Sequence, residues 1–214
     1  MTSDDGGAFR IASDAIRDAI VRGEFPPGLQ LRQAELASQL NLSRVPVREA
    51  LNVLESEGLL VHKPHSGYYV RRLSQEELHQ IYMMEDLLEG AVLTRVTKAP
   101  AETIDSLKVM QMKLEQAIKK RDVHGMVVTN REFHMAVLAL GNLPVVLKEI
   151  ARLWRMSESY RVLHFSDYLG QTTTMDQHRQ MIAAIVDGDG KLLAKLAKAH
   201  RREGETSVTG MLNR

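Results

Sequence analysis

The sequence predicts a mainly α-helical protein in two parts: three helices and a β-hairpin, then an all-α antiparallel helical bundle. Three observations carry that expectation. Apolar residues recur at the i, i+3, i+4, i+7 spacing of amphipathic helices along most of the 214 residues. Only two short runs, LLVHK from Leu59 and YYVRR from Tyr68, read as strands. After residues 72 to 74 the grammar becomes purely helical.

In the first part, Ala12, Ile16, Ala19 and Ile20 form one helical stripe that stops near Gly23, ahead of the turn FPPG at Phe25 to Gly28. A shorter stripe, Leu36, Ala37 and Leu40, leads through Asn41-Leu42 into Ser43, a good N-cap for a helix starting at Arg44. That third helix sets Val47, Ala50, Leu51 and Leu54 on its core side and runs out at Glu57-Gly58. The two strand-like runs flank PHSG, the pattern of a hairpin. Three helices, a turn between the second and third, and a hairpin are the parts of a winged helix-turn-helix, placed at residues 1–73.

The second part, residues 74–214, opens with a capping box at Ser74 to Glu77. Helices are expected at 74–97, 101–120, 123–140, 144–163, 173–187 and 189–209. The breaks fall at Ala99-Pro100, Arg121-Asp122, Gly141-Asn142, Asp167 to Gly170 and Asp187 to Gly190. Short connections between six helices favour an antiparallel bundle. Met83, Met84, Met110, Met112, Met126 and Met135 suit core or interface.

Composition narrows the function classes. The chain has no cysteine, which excludes a disulfide framework and a thiolate metal site, so any metal must take histidine and oxygen ligands. No apolar run reaches the length of a membrane span, and MTSDDGG lacks the start of a signal peptide, so a cytoplasmic location is expected. From Met1 to Arg72, nine Lys or Arg balance nine Asp or Glu, so bulk charge argues nothing about nucleic acid. Local placement does: Arg44, Arg48 and Asn52 share a line on the third helix, away from its apolar stripe. Arginine forks bond guanine O6 and N7, and the start of a recognition helix is where base edges are reached. Ser43 can donate to a phosphate, and Lys63, His65 and the wing tip Ser66-Gly67 can reach the adjacent backbone or minor groove. The plain alternative is a solvated face paired with Glu49 or Glu55, but the neighbouring elements all agree on a DNA-binding module.

The stretches IRDAIVRGEFPPGLQL, LASQL, LSRVPVREALNVLESEGLL and SGYYV resemble the DNA-binding part of GntR-family transcriptional regulators. Many relatives carry Thr where Val45 stands. The helical remainder resembles the fatty-acid-regulator-type effector domain of that family, in its six-helix, VanR-like variety. The resemblance implies that Arg44 and Arg48 read bases or phosphates and that the wing around Gly67 touches DNA. It also implies a homodimer on a near-palindromic double-stranded operator, and a small-molecule effector such as an organic acid.

Single histidines in amphipathic helices are usually unremarkable, and His62, His79, His124 and His164 have no motif around them. Asn130 and His134 share a helix face, four residues apart. Members of the resembled family hold a divalent metal with an Asp, a His four residues later and two further His. By that resemblance Asn130, His134, His178 and His200 form a metal site, for zinc or nickel, in which a neutral amide replaces the carboxylate. Relatives also carry Arg where Glu85 stands. Glu85 reads as a surface glutamate, or, if it faces the cavity, as an anionic ligand, as a partner of a cationic effector or of Arg152 or Arg155, or as a charge that opposes a carboxylate effector. Glu89 reads as structural, and Trp154 and Tyr160 as cavity lining or packing.

The leading expectation is an effector-responsive DNA-binding repressor and not an enzyme. The competing ones are a metal-dependent hydrolase or isomerase using three His, and a constitutive DNA-bound regulator with a vestigial pocket. Asn130 cannot act as a general base and no nucleophile motif accompanies it, which weighs against catalysis.

Overall fold

The computed structural model describes residues 5–165 and 168–212 and divides into two compact units, 1–74 and 75–214. The first contains α1 (Asp5–Val21), β1 (Gln30–Leu31), α2 (Gln33–Leu40), α3 (Arg44–Ser56), β2 (Leu60–Lys63) and β3 (Gly67–Val70). Ile16 of α1, Leu36 of α2, Leu51 and Leu54 of α3, and Leu60 and Val70 of the sheet meet in one core. The helices end where the residue types dictate. Asn41 takes the left-handed conformation at φ 52° and returns its N–H to Ala37 and Ser38, a C-cap that Asn tolerates. Gly58, at φ 84°, turns the chain from α3 into β2.

Two findings differ from the sequence expectation. Ser43 has the extended backbone of an N-cap, but its side chain makes no capping hydrogen bond; it is exposed, as is the Arg44 that follows, so solvent can reach the start of α3. The hairpin also gains a third strand. Gln30 and Leu31 pair antiparallel with Tyr69 and Tyr68, giving the order β1-β3-β2, and two residues are too few to show a strand period. The ladder continues through Gly28 N–H to the Val70 carbonyl at 2.8 Å and Val70 N–H to the Leu29 carbonyl at 2.9 Å.

The second unit is helical: α4 (Gln75–Leu93), α5 (Ala101–Lys120), α6 (Val123–Ala139), α7 (Pro144–Phe165), α8 (Tyr168–Asp187) and α9 (Gly190–Leu212). Leu107, Phe133, Ile150, Trp154, Ile185 and Leu193 belong to its core. Asp122 accepts the Gly125 N–H at 2.9 Å to start α6, after Arg121 closes α5 at φ 55°. α4 stops four residues before its expected end. Thr94 turns its hydroxyl back onto the Gly90 carbonyl at 3.0 Å, and the first residue of α9 presses on the exposed carbonyls. A Cβ on Gly190 would lie 2.6 Å from the Val96 oxygen and 2.8 Å from that of Leu93, so only glycine fits there. α8 starts at Tyr168 where 173 was expected, because the polar QTTT run hides a turn of helix in which Thr174 and Met175 are buried. Of the expected break, Asp167 lies outside the described residues and Tyr168 to Gly170 are helical. Among the described residues no helix is long and apolar enough to cross a membrane.

Candidate functional site

In the first unit, burial of Val47, Ala50, Leu51 and Leu54 at 0 % exposure leaves Arg44, Val45, Arg48 and Asn52 exposed on the other side of α3. Arg44 and Arg48 thus present guanidinium groups near a helix N-terminus, an arrangement that attracts phosphate and reaches base edges. Asn52 is tied to the wing: the Tyr68 hydroxyl donates to its side-chain oxygen. Burial pushes the Tyr68 phenol above its ordinary range, so the proton stays on the hydroxyl. At the wing tip His65 and Gly67 take φ 63° and 89°, and the Gln30 amide donates to the Ser66 carbonyl at 2.6 Å. The exposed Lys63 sets its ammonium 4.6 Å from the centre of the Tyr69 ring on β3.

In the second unit, α6 supplies Asn130 and His134, α8 supplies His178, and α9 supplies His200. The Nε2 atoms of His178 and His200 each lie 3.1 Å from His134 Nε2, and ligand atoms of all three residues fall within 4.8 Å of one another. Hydrogen bonds fix which nitrogens carry protons. The Gln111 amide donates to the Met175 carbonyl at 2.9 Å and the Gln177 amide to Glu203 at 2.7 Å, so each glutamine turns its oxygen toward a histidine. Gln111 Oε1 faces His178 Nδ1 at 3.2 Å and Gln177 Oε1 faces His200 Nδ1. A carbonyl oxygen only accepts, so both Nδ1 atoms carry hydrogen and both Nε2 lone pairs point to the centre.

Burial, and then the neighbouring histidines, hold His134 and His200 well below the ordinary imidazole range; burial alone lowers His178 to about 3. The cluster is therefore neutral at pH 7. Asn130 is buried beside it, and its side-chain oxygen has no hydrogen-bond partner. Two nitrogens each bound at about 2.0–2.1 Å to one zinc ion stand roughly 2.9–3.4 Å apart, which the observed 3.1 Å separations match. Three imidazoles and an orphaned amide oxygen fit a divalent cation. The adjoining cavity measures about 20 Å³, room for a water-sized particle, and is bordered by Asn130, His134, Trp154, Arg161, His200 and Arg201 among others.

A charged layer lies beside the cavity. Glu85 is fully buried, not a surface residue, and accepts from Arg161 at 3.0 and 3.1 Å. Burial raises the Glu85 carboxyl against the opposing pull of Arg161, whose guanidinium also stacks 3.8 Å from the Trp154 ring. Glu89 accepts the Trp154 indole N–H at 2.8 Å and pairs with Arg201, which reaches Asp86 at 2.7 Å. Arg152 and Arg155 do not border the cavity. Arg152 lies nine residues from Arg161, about half a turn round α7, and pairs with exposed Glu149 at 2.6 Å. Sequence reasoning missed Arg161, Arg201, His164, Gln111 and Gln177. Gln111 left a trace: it sits between Leu107 and Leu114 on an apolar stripe, a polar residue at a core position.

Comparison with known proteins agrees with both halves. Residues 10–70 match the model of bacterial regulatory proteins of the gntR family, and residues 80–203 match the FCD domain. An HTH-type transcriptional regulator from the TAR-I ttuE-ttuC' intergenic region of Agrobacterium vitis is 34 % identical over 137 residues, 62 % of this chain and 80 % of that protein. The Nta operon transcriptional regulator of Aminobacter aminovorans is 28 % identical over 177 residues, 82 % of each chain. The solved structure of E. coli McbR/YncC superposes with a TM-score of 0.81 over 99 % of this chain and 100 % of that one, at 21 % identity, a likeness of fold. These relatives are regulators and not catalysts, and the chain belongs to the gntR family as a DNA-binding transcriptional regulator with an FCD effector-binding domain.

Proposed function

We propose that this regulator is a homodimeric repressor of a two-fold related operator, released by a small anionic effector, of the organic-acid class, that binds beside a metal ion in the helical domain. Residues 1–73 read DNA through Arg44 and Arg48, with Ser43, Val45, Asn52, Lys63, His65, Ser66 and Gly67 around them. Residues 74–214 sense the effector and dimerise, and the six helices of the second unit support the shorter, VanR-like variety of effector domain. The observation that carries the sensing role is the convergence of three Nε2 atoms, with a buried, unpartnered Asn130 oxygen bordering the same cavity as His134 and His200. His134, His178, His200 and Asn130 would hold zinc or nickel, for which imidazole is a suitable ligand. All four ligands are neutral, so the bound ion would supply uncompensated positive charge to an anionic effector. The effector shifts DNA affinity only as far as it binds one arrangement of the dimer more tightly than the other.

Selection of bound DNA from a random pool, followed by a screen of carboxylates with and without zinc, tests this reading. The expected result is a two-fold related site whose occupancy falls with one class of acid. Chemical turnover of a bound compound would favour a three-His hydrolase or isomerase. DNA affinity indifferent to every compound and metal would leave a constitutive regulator with a vestigial pocket.

A further inference from the structure

α4 has two faces of opposite character. Its inner side buries Leu78, Ile81, Glu85, Glu89 and Val92. At about 100° per residue, the opposite strip carries Gln80, Met83, Met84, Leu87 and Ala91. These are exposed, Met83 at 50 %, Met84 at 38 % and Leu87 at 69 %, and Gln80, Met84, Leu87 and Ala91 follow the alternating 4, 3, 4 spacing of a helix-pairing seam. The strip is also charged asymmetrically. Exposed Glu76 begins it and exposed Arg95 lies just past its end.

We propose that this strip is the contact with a second copy of the chain, an inference that rests on the homodimer reading above. The charges select the orientation. A parallel pair would set Glu76 against its own counterpart, whereas an antiparallel pair turned about the midpoint between Asp86 and Glu85 sets Glu76 against the other copy's Arg95. The same turn places Met84 against Leu87 and Gln80 against Ala91, so apolar meets apolar at the centre and opposite charges meet at both rims. Antiparallel packing also opposes the two helix dipoles favourably. The small Ala91 and Gly90 allow the axes to approach closely. A standard interface buries about 800 Å² per partner, more than one helix strip covers, so α4 forms the centre of the contact and not all of it.

Sedimentation equilibrium on the full chain tests the proposal. Wild type should be a dimer, and Leu87→Glu should weaken association at least about tenfold, as expected for a central apolar anchor, with unchanged helical circular dichroism. Glu76→Arg and Arg95→Glu should each weaken it several-fold, and the two together should restore it. A dimer untouched by Leu87→Glu would overturn the surface while leaving the homodimer reading intact. Failure of the double swap to rescue would overturn the antiparallel pairing. A wild type that is a single chain, both free and on DNA, would remove the homodimer reading and would assign the strip to another protein or to none.

Discussion

Asn130 is the residue whose chemistry most directly sets the character of the histidine cluster. Its buried oxygen meets no donor, and the three imidazoles beside it are neutral. Asn130→Asp should tighten zinc binding by about tenfold or more, because a charge replaces a dipole among otherwise neutral ligands. His134→Ala should abolish it, and thermal stability in zinc should follow each change, since a ligand of the folded state alone stabilises that state. Identical binding by wild type and Asn130→Asp in a calorimetric titration would show that the amide is not a ligand. The chelated protein carries a second expectation. The folded imidazoles titrate below the unfolded value near 6.5, so at mildly acidic pH the unfolded chain binds more protons. Stability is fully present above about pH 6.5 and falls as pH drops below it. Urea midpoints measured from pH 8 to 5 check the sign, and zinc should oppose the loss. On the DNA side, Arg44→Ala and Arg48→Ala should each preserve the fold and cost about 1–3 kcal/mol of specific affinity if the lost contact is bidentate to guanine. Titration of the selected operator at one fixed salt concentration measures it.

Elements show where sequence is informative and where packing takes over. The amphipathic period located every long helix, because a stripe such as Val47, Ala50, Leu51 and Leu54 is written over about two turns. β1 is two residues long and exists through its pairing with β3, so nothing local announces it. The end of α4 is likewise set from outside, by Gly190 against the Leu93 and Val96 carbonyls. Gly190→Ala should therefore lower stability by about 1–3 kcal/mol through overpacking. Gly204→Ala in the same helix, with nothing within 4 Å of the added methyl, should be neutral or raise it by up to about 1 kcal/mol. Thermal melts of the two variants side by side separate contact from helix propensity. The candidate site was legible in part for the same reason. His134, His178 and His200 carry recognisable chemistry, whereas Arg161 and Arg201 read as ordinary helix cations until Glu85 and Glu89 are seen buried beside them.

At the scale of the whole molecule, net charge misleads. The nine basic residues of the first 72 are balanced by nine acidic ones, yet specific binding should fall steeply with salt, because counterions are released where phosphates are contacted and not by the average. A dimer touching six or more phosphates should lose about 10³-fold in affinity between 50 and 200 mM salt. A flat salt profile would deny the phosphate contacts. The bond from Tyr68 to Asn52 and that from Gln30 to the Ser66 carbonyl bear on the time course of recognition. The first joins α3 to the wing and the second joins β1 to the wing tip, giving one surface whose ordering is completed during folding of the chain. Little conformational freedom remains to be surrendered when DNA arrives, so encounter should be limited by diffusion and charge steering and the heat-capacity change on binding should be small. Tyr68→Phe would loosen that surface without removing any group that faces the operator, and its signature would be a slower association rate at unchanged base preference.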